Sequence, residues 1–209
     1  MNNRVSRPAR RSPLIRAIIV STCALALGAV FPPPAGVAAA PAVTITNLSA
    51  DIWPEHDDPR VLIIYRGTLS ADAPLPYPLA FAIPAGAQVH AAAYRRNGQL
   101  FAAQYQTSRD GDQARVTFLV PVRDFQFEYY ADVIAGQPQR AFAVGLVFPL
   151  LAESLQVSVE QPLRSSDFAL TPASTRTATG GGFTYYLYTE ERWPAGKVWS
   201  IRGTYRKDD

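Results

Sequence analysis

The amino-acid sequence predicts an all-β fold, an antiparallel β-sandwich of Ig-like or jelly-roll-like type, preceded by an N-terminal signal peptide. Three observations point there. From Val43 onward no stretch repeats its apolar residues at the helical spacing of three and four. Short β-rich runs follow one another instead, punctuated by turn residues; the chain has 18 prolines and 13 glycines, enough to close every run. The runs number roughly 10–12, more than one open sheet usually holds, so two packed sheets are expected.

The 209 residues suit one domain, 43–209, after a leader at 1–42. Residues 1–16 carry five arginines and no acid, and the apolar run AIIVSTCALALGAVF follows, from Ala17 to Phe31. The Pro/Ala-rich stretch PPPAGVAAAPA comes next. This is the charged, apolar and small-residue order of a secretory signal peptide, with cleavage expected after Ala39 or Ala42. The apolar run is 15 residues, short of the ~20 that a membrane-spanning helix needs. An anchor kept uncleaved is the alternative. Arg10-Arg11 partly matches a twin-arginine export signal, with Pro13 against it, so the export route stays open. Thr22 before Cys23 argues against a lipoprotein box. The expected location is extracytoplasmic, either cell envelope or secreted.

Removing the leader reverses the charge. The whole chain carries +3, but without the five leader arginines 15 basic residues face 17 acids, a net charge of −2. That leaves no basic patch for nucleic acid. Cys23, the sole cysteine, leaves as well, so the domain has no disulfide and no thiolate chemistry.

Expected strands are 43–48, 61–69, 78–83, 88–95, 100–107, 114–120, 124–131, 140–148, 154–160, 166–170, 183–189 and 197–206. VLIIY and AFAVGLVF are apolar at every position and read as central strands covered on both sides. Asn97-Gly98 and Asp110-Gly111 are the dipeptides that type I′ hairpin turns prefer. With those turns, 88–95, 100–107 and 114–120 form a meander. His90 then lies opposite Tyr105 on a core-facing aromatic side, with Arg95, Gln104 and Arg115 on the wet side. Along 124–131, Phe125, Phe127 and Tyr129 share one face and Gln126, Glu128 and Tyr130 the other. In SLQVSVEQ, Leu155, Val157 and Val159 point inward while Gln156, Ser158 and Glu160 point outward. The segment TPASTRTATGGG, 171–182, reads as a mobile loop. Strand 197–206 returns with Trp199, Ile201, Gly203 and Tyr205 on one face. A transmembrane barrel is not expected, since the chain ends YRKDD and several strands are apolar on both faces.

The most chemical stretch is DIWPEHDDPR, Asp51 to Arg60. Asp51, Glu55, Asp57 and Asp58 are candidate ligands for a calcium ion, although the spacing matches no EF-hand. One local histidine, His56, is too little for zinc. The competing reading is an acidic turn between Pro54 and Pro59. His90 reads as a partly buried core histidine before it reads as a general base. Glu128, Glu160, Glu190, Glu191 and Asp167 offer carboxylates for glycoside hydrolysis, but nothing sets two at a working separation. There is no Gly-x-Ser-x-Gly elbow and no His-Glu-x-x-His. Tyr130, Tyr186, Tyr188 and Trp193 are candidate ligand-binding aromatics, because flat exposed rings suit sugar stacking or protein contact.

The phrases IWPEHDDPRVLIIYRGTL, FQFEYY and VSVEQPLRSSDFALTP resemble an uncharacterised family of exported bacterial envelope β-sandwich proteins. The resemblance covers most of 51–207 and rests on strand-and-turn phrases, so it implies fold and location and no active site. Together these readings lead to an expected function. The chain is expected to be an exported, non-catalytic cell-envelope binding or structural module, recognising polysaccharide or a protein partner, without a required cofactor. The alternatives are a secreted carboxylate-dependent hydrolase of glycosidase type and a cation-stabilised structural module.

Overall fold

A computed structural model describes residues 42–208; the expected signal peptide lies outside them. Fifteen strands are present among the described residues. The first five are β1 (Ile45–Pro54), β2 (Val61–Leu69), β3 (Tyr77–Pro84), β4 (Gln88–Arg96) and β5 (Gln99–Ala102). Next come β6 (Tyr105–Asp110), β7 (Gln113–Val120), β8 (Asp124–Ala131), β9 (Ile134–Ala135) and β10 (Gln139–Val147). The last five are β11 (Ala152–Glu160), β12 (Ser166–Thr171), β13 (Arg176–Gly180), β14 (Phe183–Trp193) and β15 (Val198–Arg206). They form an eight-stranded sheet, β13-β14-β11-β1-β2-β8-β4-β5, and two smaller sheets, β12-β15-β10-β9 and β3-β7-β6. Among the described residues only the β1–β11 pairing is parallel; the all-β, antiparallel-rich sandwich is the predicted class.

The core lies where the inner face of the large sheet meets the two smaller sheets. Val61 to Tyr65 is buried at every position, as a central strand requires. Tyr65 of β2 stacks on Phe81 of β3 at 5.3 Å and meets Phe148, just after β10, edge-on at 5.5 Å. One ring therefore joins the large sheet, the three-stranded sheet and the segment that leaves β10. Its hydroxyl is paired with that of Tyr129 at 3.3 Å, so no polar group is stranded. Burial pushes the Tyr129 hydroxyl up to about 12.

Several local expectations change. Asn97 and Gly98 both have positive φ, as a type I′ turn demands. The second turn is Gly111-Asp112, since Asp110 pairs with Gln113. Glycine at its first central position is what a type II′ turn needs. The two hairpins do not make one meander. The chain leaves the large sheet after Ala102, and Tyr105 pairs with Phe118 in the three-stranded sheet. His90 is therefore not opposite Tyr105. It sits at an irregularity between Val89 and Ala91, where one extra residue interrupts the β4–β8 ladder, and it is exposed. A bulge of this kind re-aims its side chain, which sequence alternation does not reveal.

β10 is covered on one side only. Ala141, Ala143 and Gly145 are exposed, so their small apolar side chains mimicked a second buried face. Part of the expected loop 171–182 is strand: Arg176–Gly180 pairs with β14 in a hairpin.

Candidate functional site

The outer face of the eight-stranded sheet carries the polar side chains that the core excludes. Register sets them in rows across the strands. Ser49, Arg66, Gln126 and Ala93 form one row; Asp51, Ile64, Glu128 and Ala91 form the next. Directly opposite residues share a face, so these rows are neighbours about 7 Å apart along the strands.

The four acids, Asp51 in β1 and Glu55, Asp57 and Asp58 in the β1–β2 turn, each take a different partner. Glu55 is the most buried, paired with Arg140 and with Lys207 at 3.2 Å, and it accepts from the Tyr205 hydroxyl at 2.9 Å. This fastens the turn to β10 and the end of β15. Asp57 accepts from Tyr130 at 3.0 Å. Asp58 is bound by Arg60 at 2.7 and 2.8 Å, and those hydrogen bonds hold its carboxyl down at about 2. Asp51 pairs with Arg66 and accepts from Ser158. The four side chains do not converge. Among the described residues no group of three or more His, Cys, Asp or Glu is placed to hold a metal ion.

His56 leaves the acidic cluster altogether. Its Nδ1 lies 2.7 Å from Oε1 of Glu160, and its ring sits between Trp53 at 4.6 Å and Phe183 at 5.0 Å. Glu160 does belong to the outward face, but this second layer buries it completely. Burial raises its pKa, against the lowering effect of His56. Tyr185, opposite it on β14, has its hydroxyl raised by burial and by the Glu160 charge. The group works as a clasp holding the turn to β11.

The candidate aromatics do not form one surface. Tyr130 is buried on the outer face with Leu62 and Ile64, beneath the Arg60 guanidinium at 4.7 Å. Tyr186 packs on Phe168 at 5.1 Å, and Tyr188 meets Trp199 edge-on at 5.4 Å, so both belong to the core side. Burial pushes the Tyr188 hydroxyl up to about 12. Trp193 carries Lys197 over its ring at 3.8 Å.

One concavity on this face was not singled out in the sequence. It is a groove of about 710 Å³ over β8, β4 and β5, with a floor of Ala91, Ala93 and Ala102 and walls from Leu100 and Tyr105. His90 and Glu128 stand at one end, with Gln126 beside them. The Glu128 side chain is 13% exposed and that of His90 54%. Oε1 of Glu128 accepts from the Gln126 amide, while Oε2 lies 3.7 Å from His90 Nε2, beyond hydrogen-bond length. His90 is kept there by an edge-on contact with Tyr130 at 5.3 Å. The available signal was the run HAAAY: three alanines in succession leave a trough in whichever face they line. Among the described residues lining this groove, Glu128 is the one that is formally charged at neutral pH. A carboxylate at the end of an apolar trough can hold a cationic head whose body is apolar.

Neither a family model nor a curated protein matches the chain. Among solved structures it is similar to an M1 zinc metallopeptidase from Deinococcus radiodurans, at 16% identity and a TM-score of 0.47. That match covers 77% of this chain and 42% of the peptidase. A putative protease from Parabacteroides distasonis follows at 10% identity and a TM-score of 0.42, covering 78% of this chain and 40% of the other. The leukotriene A4 hydrolase of Saccharomyces cerevisiae gives 10% and 0.46, covering 78% and 29%. The chain thus spans less than half the length of each. These neighbours are peptidase and hydrolase chains. They overturn the expectation of a non-catalytic cell-envelope module recognising polysaccharide or a protein partner, which is not carried further.

Proposed function

We propose that the outer face handles short peptides, with Glu128 as the counter-ion for a free amino terminus. The observation that carries this is the Glu128 carboxylate, mostly withdrawn from water at the head of an alanine-floored groove. An ammonium there gains a charge-assisted hydrogen bond to Oε2, and its apolar side chain lies over Ala91 and Ala93. A groove of this size suits a ligand of a few residues. β5 adds a second reason to favour a peptide over a simple amine. It is the edge of the sheet, exposed along its length and paired on one side with β4, so its other side offers backbone donors and acceptors.

Calorimetric titration with Leu-Gly-Gly amide and its N-acetylated counterpart tests the reading. A hydrogen bond to a charged group is worth about 1.5–3 kcal/mol, so acetylation and Glu128→Gln should each weaken binding by about tenfold or more. Equal affinity for the two peptides, or no effect of Glu128→Gln, would overturn it.

A further inference from the structure

We infer that the groove continues into a cationic half-site that takes the carboxylate end of the same peptide, so that the outer face selects short zwitterions. This rests on the reading that Glu128 holds the amino end. Beyond Gln126 lies a second cavity of about 400 Å³, whose charged lining residues are Arg66, Arg95 and Asp124. Asp124 is occupied by the Thr68 hydroxyl at 2.7 Å. Arg66 is already paired with Asp51, so the cationic group this end offers is Arg95, which bonds the neutral Gln126 amide and the Gly98 carbonyl, whereas the other end offers the Glu128 carboxylate.

The two cavities are linked by one pair of side chains, Gln126 lining the first and Arg95 the second. Gln126 is buried, donates its amide N–H to Glu128, and accepts from Nη2 of Arg95 at 3.4 Å. Its amide is thus oriented by the acid on one side and the base on the other. Arg66 stands directly across from Gln126 on β2 and pairs with Asp51 through one nitrogen. Arg95 is held more loosely, by that 3.4 Å contact and by another of 3.3 Å to the Gly98 carbonyl. Both are long, and a carboxylate would replace them with shorter, bidentate, charge-assisted bonds.

The spacing fits the ligand class. The Arg95 guanidinium reaches Gln126 at 3.4 Å, and Gln126 is two residues from Glu128 on one strand, about 7 Å. The charged ends of an extended di- or tripeptide are separated by about 7–10 Å. A longer chain would have to leave the face before its carboxylate reached the arginines.

The test uses the described chain and four forms of Leu-Gly-Gly: free acid, amide, N-acetyl acid and N-acetyl amide. The free acid should bind about tenfold more tightly than the amide. Arg95→Gln, a substitution at an exposed position, should weaken the free acid much more than the amide and so close most of that difference. If acid and amide bind alike while acetylation still weakens both, the cationic half-site is refuted and the Glu128 reading stands. If acetylation has no effect either, both are refuted. If Arg95→Gln weakens the amide as much as the acid, the arginine is structural and the half-site is again refuted.

Discussion

The two faces of the eight-stranded sheet use the same strands for opposite ends. On the inner face of β8, Phe125, Phe127 and Tyr129 pack into a continuous aromatic core, and Phe127 stacks on Phe81 at 4.9 Å. One residue along, on the outer face, Gln126 spends its amide on Glu128 and Arg95 and Tyr130 its hydroxyl on Asp57, while Oε2 of Glu128 lies 3.7 Å from His90, beyond hydrogen-bond length. The period of two in a strand makes this separation possible. The inner face has stacked rings and few polar atoms, so it decides stability. The outer face has small side chains, exposed charge and room, so it is where a ligand can be held without disturbing the core.

The largest blow to that contrast is expected from Phe127→Ala. The ring is fully buried among Tyr65, Phe81, Phe118 and Tyr129. Its loss should cost about 3–5 kcal/mol in urea denaturation. Its neighbour on the other face should behave differently: Gln126→Ala removes hydrogen bonds but no core volume, and should cost about 1 kcal/mol. A similar loss for both would mean that the outer face is as structural as the inner.

The smallest expected effect lies in the turn. Arg60 depresses the Asp58 carboxyl from its ordinary 3.8 to about 2. A depressed acid contributes stability above its unfolded value and loses it as the pH falls through its folded value. The difference in melting temperature between the chain and Asp58→Asn should therefore be present at pH 5 and vanish towards pH 2. Because the pair is partly open to water, the difference should be small.

What could be read in the sequence follows from which physics is local. Strand positions such as Val61–Leu69 and Asp124–Ala131 were legible, because side-chain alternation and β-branching act over a few residues. The turn at Asn97-Gly98 was legible for the same reason. The bulge at His90 was not, because it depends on how β4 meets β8, far along the chain. Nor could residue types predict that Arg140 and Tyr205 would claim Glu55, or that Glu160 would claim His56, at sequence separations of 85, 150 and 104. The acidic stretch Asp51–Asp58 looked like a cation site because its partners were invisible. The alanines of HAAAY carry no such signal by residue type, because a groove is made by what is missing around them.

Chemical-shift mapping of the alanine methyl groups during titration with Leu-Gly-Gly most directly tests the claim that the outer face is the binding face. The account predicts saturable shifts at Ala91, Ala93 and Ala102, with Ala50 and Ala114 in the core unmoved, and loss of the shifts in Glu128→Gln. Absence of shifts at the groove alanines, or shifts centred on the core alanines, would contradict it.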